Sequence, residues 1–117
     1  MINTLKVKAE YENQISSLEH YLKAKGITLT KEYNGQPYVG SSFINGKEGV
    51  YFKIKQRSFL SESQTETIKS SFPLKITDGK DLYSWDLLSI SDYDWDDDRY
   101  WEPSVSVRLI KNGKSVF

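Results

Sequence analysis

Between Asn3 and Lys25 the apolar positions Val7, Tyr11, Ile15, Leu18 and Leu22 recur at steps of four and three, which places them on one face of an amphipathic helix. Asn3 or Thr4 suits the N-cap, Lys23 and Lys25 complement the negative end of the helix dipole, and Gly26 stands where a helix commonly stops. The spacing predicts one helix over residues 3–25. The period then changes to two. Ile27, Leu29 and Lys31 alternate with Thr28, Thr30 and Glu32 as far as Tyr33, and Asn34-Gly35 favours a tight hairpin turn. The return run is Tyr38 to Ile44, with Pro37 at its start, where a missing N–H is tolerated. A second turn at residues 45–49 leads into Val50 to Phe59, so residues 27–59 are expected to form a three-stranded antiparallel meander.

Residues 61–71 hold one aliphatic side chain and fit a short helix or a loop. Phe72 to Thr77 reads as a strand closed by Asp78-Gly79. Leu82 to Ile90 fits neither period cleanly and is left as a strand or a helical turn. Residues 91–103, acidic and aromatic, are expected to be a long loop. Ser104 to Lys111 is the final strand, with Val105, Val107 and Leu109 on its buried side, and Asn112-Gly113 turns the last residues away. The expected fold is mainly β: a five-stranded OB-fold-like barrel over residues 27–111, with an added N-terminal α-helix, in a single domain of 117 residues.

The strongest chemical signal lies in the third predicted strand. With alternating side chains, Tyr51, Lys53, Lys55, Arg57 and Phe59 share one face. Lys and Arg pair with phosphates while aromatic rings stack on unpaired bases, so the interleaving suits a binder of single strands. A solvated face whose charges keep the strand from pairing with neighbours is the alternative reading. OB barrels hold oligonucleotides on their second and third strands, which is where this face falls.

Composition refines the picture. Sixteen basic and sixteen acidic residues cancel, which argues against wrapping duplex DNA through bulk charge. The charge is nevertheless polarised, with nine Lys/Arg against five acids in residues 1–60 and seven against eleven in residues 61–117. With no cysteine there is no disulfide or thiolate metal site. The sequence shows no apolar run near membrane-spanning length and no secretory signal, so a soluble cytoplasmic protein is expected, with no membrane partner.

In the order and texture of these elements, residues 27–111 resemble the small single-stranded-DNA-binding proteins of bacteriophages, those of lactococcal phages most of all. The resemblance implies an OB barrel, a homo-oligomer (dimer or tetramer), no catalysis and no cofactor. It also implies protection of single-stranded DNA in phage DNA replication or recombination, alongside proteins of those processes. The positions it carries over are Tyr51, Lys53, Lys55, Arg57 and Phe59, with Lys31, Tyr33 and Tyr38 as neighbours on the sheet. Bacterial members of this class end in an acidic tail tipped by an aromatic residue. Here Phe117 lacks the acidic approach, and the internal stretch Asp92 to Asp98 is the candidate replacement.

Residues 86–102 carry seven carboxylates against Arg99. Aspartates 92, 94, 96 and 98 alternate, but the sharp-turn Gly and the twelfth-position Glu of a calcium loop are missing, so no metal site is expected. A solvated loop with Trp95 and Trp101 folded back as packing is the simplest state. The alternative function is a DNA mimic, in which this stretch occupies the basic cleft of a partner protein; the neutral overall charge counts against it. His20 is the only histidine, and neither a phosphate-cradling loop nor a nucleophile elbow occurs, so catalysis is not expected.

Overall fold

The computed structural model describes residues 2–92 and 102–117. The N-terminal amphipathic run forms two helices, α1 (Thr4–Glu10) and α2 (Glu12–Ala24), in place of the single helix expected over 3–25. No Pro or Gly lies at the break. It falls at Tyr11, whose ring stands edge-on to Tyr83 at 6.4 Å, and the i→i−4 bonds continue on either side of it. The apolar face survives the bend: Val7, Ile15, Leu18 and Leu22 are all buried. Asn3 is the cap, its side chain accepting from the Lys6 N–H at 3.2 Å.

Strands β1 (Val39–Ile44) and β2 (Lys47–Lys53) form a hairpin about Asn45-Gly46. Helix α3 (Glu62–Ser70) follows, and then β3 (Leu74–Asp78), β4 (Asp81–Ser91), β5 (Ser104–Lys111) and the short β6 (Lys114–Ser115). Residues 82–90 are therefore strand. Their unclear period has a cause: a β-bulge sits between Leu87, opposite Val107, and Ser89, opposite Ser106, which leaves Leu88 as the extra residue and resets the alternation. The chain end, expected to turn away after Asn112-Gly113, turns back instead and pairs with β5.

The described strands form one antiparallel sheet in the order β1-β2-β5-β4-β3, with β6 sharing an edge of β5. β1 and β3 stand at opposite ends and do not pair, so the expected barrel is not closed. Two physical reasons are visible. Residues 27–33, expected as the first strand, make only isolated bridges, Leu29 to Ile54 and Lys31 to Pro37. The apolar face of the sheet, moreover, is covered by helices instead of by its own curvature. Val7, Ile15, Leu18, Leu22 and Ile68 from the three helices join Val39, Val50, Phe52, Trp85, Val105, Val107 and Leu109 in one buried cluster. Trp85 is its centre, T-shaped against Phe52 at 5.9 Å, and its Nε1–H donates to the Gln14 carbonyl at 3.0 Å. Among the described residues, no helix is long and apolar enough to cross a membrane.

Candidate nucleic-acid interface

The ladder of β2 ends at Lys53, six residues short of the expected Phe59. Its partner β5 starts at Ser104, and the residue before it is Pro103, whose carbonyl accepts from the Ile54 N–H at 2.7 Å but which has no N–H to return. The extended conformation persists for two residues on a different partner. Thr30 N–H donates to the Lys53 carbonyl and Lys55 N–H to the Thr28 carbonyl, both at 2.8 Å. Leu29 and Ile54 point inward from this short pairing and are buried. By alternation Thr28, Thr30, Lys53 and Lys55 face outward.

Beyond Lys55 the side chain of Gln56 bends the chain. Its Nε2 donates to the carbonyls of Ser58 at 3.3 Å and Phe59 at 3.0 Å, and it exchanges amide hydrogen bonds with Gln64 of α3. Arg57 and Phe59 therefore do not continue the face of Tyr51, Lys53 and Lys55. This corrects the five-residue stripe expected from alternation: two of its members lie on a bend.

The bend creates a groove of about 520 Å³ that the stripe did not anticipate. It is lined by Thr28, Thr30, Lys31, Lys55, Gln56 and Arg57, with Leu29 at its floor and Glu102 on its wall. Three cations and one carboxylate meet there. Lys31 is tied to Glu19 at 2.9 Å, and Glu102 accepts from the Thr30 hydroxyl at 2.7 Å. Lys55 and Arg57 are exposed and have no ion-pair partner among the described residues.

Next to the groove, on the outward face of β2, sits an aromatic and cationic cluster. The Lys53 ammonium lies 5.0 Å from the centre of the Tyr38 ring. The Tyr38 and Tyr51 rings are 5.9 Å apart, with their hydroxyls at 3.4 Å. Tyr51 lies over Gly40, its cross-strand neighbour, where a Cβ would strike the ring. Tyr33, at the tip of the turn closed by Glu32 and Gly35, is fully exposed, and Phe59 is two-thirds exposed. Neither Lys31 nor Tyr33 stands in a regular strand: Lys31 is held beside Tyr38 by an isolated bridge to Pro37, and Tyr33 lies in the turn that follows.

Sequence reasoning missed Thr28, Thr30, Gln56 and Glu102. The alternation around Leu29 marks the threonines as outward, but only the pairing with residues 53–55 brings them to the cations.

Of the acidic stretch, residues 93–101, including Trp95 and Trp101, lie outside the described residues. The carboxylates at its margins have internal duties: Asp86 accepts from the Ser84 hydroxyl at 2.7 Å, Asp92 from the Leu60 N–H at 3.1 Å, and Glu102 from Thr30. Comparison of the chain with protein-family models, with curated proteins and with solved structures found no match.

Proposed function

We propose that the protein binds single-stranded DNA without sequence preference and without catalysis. The observation that supports this best is the convergence of Lys55 and Arg57, exposed and without ion-pair partners among the described residues, with Lys31 on one open groove. Guanidinium and ammonium groups along a groove suit successive phosphates, and the threonine hydroxyls and the Gln56 amide supply further polar contacts. The Tyr38–Tyr51 pair and the exposed Tyr33 supply aromatic rings for bases splayed from that backbone, each stack contributing ~1–3 kcal/mol. A groove at the end of an open sheet then does the work expected of an OB barrel's concave face. The resemblance to phage proteins extends the proposal to DNA replication and recombination in the host cytoplasm.

The test is fluorescence anisotropy of a labelled, unstructured oligonucleotide titrated with the full chain, with duplex of equal length as control. Saturable binding of the single strand in preference to duplex is expected. Absence of binding to either, or equal binding to both, would overturn the proposal.

A further inference from the structure

We propose that β1 is the edge along which two copies of this chain join, by antiparallel pairing of the two β1 strands about a two-fold axis at Ser42. The argument begins with which backbone groups the hairpin leaves over. Asn45 and Gly46 both have positive φ, 51° and 77°, the signature of a two-residue turn that makes Ile44 and Lys47 a hydrogen-bonded pair. Alternation assigns the next bonds to β2 at Ser42 opposite Gly49 and at Gly40 opposite Tyr51. The N–H and C=O groups of Ser41 and Phe43 therefore point away from β2, and among the described residues nothing bonds to them.

An open edge of this kind is normally guarded by charge or proline. This one is not. Residues 33–46 contain no charged side chain in a protein in which 27% of residues are charged, and Pro37 stands before the strand begins. Phe43 is 67% exposed and shares a shallow recess with Ile2, Ser41, Ser42 and Glu48.

A second copy is the occupant that satisfies both sides at once. With the axis at Ser42, Ser41 faces the partner's Phe43 and Phe43 faces the partner's Ser41, so the outward groups of one copy meet the outward groups of the other in register. Ser42 then lies opposite the partner's Ser42 in a close, non-hydrogen-bonded pair. Its Oγ is the buried side-chain polar atom without a hydrogen-bond partner among the described residues, and such an atom calls for an explanation. One χ1 step of each serine turns the two hydroxyls toward one another, the cross-strand pairing that serine and threonine favour. The exposed phenylalanines pack across the same seam on the helix-covered side of the sheet. This inference does not depend on nucleic-acid binding.

The test is the solution mass of the full chain by light scattering across a concentration series, for the parent, Ser41→Pro and Phe43→Lys. Ser41→Pro removes an N–H that β2 does not use, and Phe43→Lys charges an exposed position, so both leave the internal ladder intact. The parent is expected at the mass of two chains, and each variant at half that mass with an unchanged circular-dichroism spectrum. A monomeric parent at every concentration, a partner strand of another protein required for assembly, or variants that remain dimeric would overturn the proposal.

Discussion

Gly49 shows how close the sheet lies to its steric limit. A Cβ at this position falls on the Val107 carbonyl oxygen of the neighbouring strand and beside Leu88, the bulged residue of β4. The obstacle is backbone, so relief requires β2 and β5 to separate. Gly49→Ala is therefore expected to destabilise the fold by roughly 1–3 kcal/mol, the usual range for overpacking, in chemical denaturation. Gly40→Ala meets only the Tyr51 side chain, which can be displaced without parting two strands, and is expected to cost less. A second prediction at this scale concerns alkaline pH. Burial, reinforced by Glu10, pushes the Tyr11 phenol upward, and the Asp81 carboxylate at 3.7 Å raises Lys111. Both groups hold their proton more tightly folded than unfolded. Their contribution is complete below about pH 10, near the unfolded values, and is lost as pH rises beyond it. The melting temperature should fall over that range, and Tyr11→Phe should make the fall shallower; an unaltered slope would refute the assignment.

At the scale of elements, α3 illustrates what a polar sequence conceals. Residues 61–71 look equally like loop, yet Ser61 accepts from the Gln64 N–H at 3.0 Å while the Gln64 side chain accepts from the Ser61 N–H at 2.9 Å, a complete capping box. Ile68, the single aliphatic, is fully buried and fixes the helix to the core. Ser61→Ala is expected to cost about 1 kcal/mol in a urea melt. Gln64→Ala should cost more, because Gln64 also pairs with Gln56 and so braces the bend beneath Arg57. Elements set by strong periodicity were legible in advance: the helical face of Val7 to Leu22 and the buried side of Val105, Val107 and Leu109 are where the spacing puts them. The expected strand over residues 50–59 overran because its end is decided elsewhere, by Pro103 and by the Gln56 amide, neither of which alters the local alternation. The same blindness applied to residues 27–33, where the alternating pattern serves two short pairings, one to residues 53–55 and one across the Asn34-Gly35 turn to residues 36–38, instead of a full strand.

Across the whole molecule, the helices take one face of the sheet and leave the other to Tyr51, Lys53 and the groove beside them. Three of the eight candidate residues, Lys31, Lys55 and Arg57, meet in that groove, while Tyr38, Tyr51 and Lys53 cluster next to it. The chemistry was legible as basic and aromatic residue types; their meeting place was not, because it depends on a distant pairing and a bend. Net charge of zero means that any affinity for a polyanion rests on this local excess and not on the field of the whole protein.

The most direct measurement is the salt dependence of single-strand affinity for the parent and for Lys55→Ala/Arg57→Ala. Each phosphate contact on a single strand contributes roughly 0.7 to the slope of log K against log salt, so losing two should flatten it by about 1.4. Weaker binding with that flatter slope, in a variant whose melt matches the parent, is the predicted result. A variant that binds as tightly as the parent, with the same slope, would contradict the account.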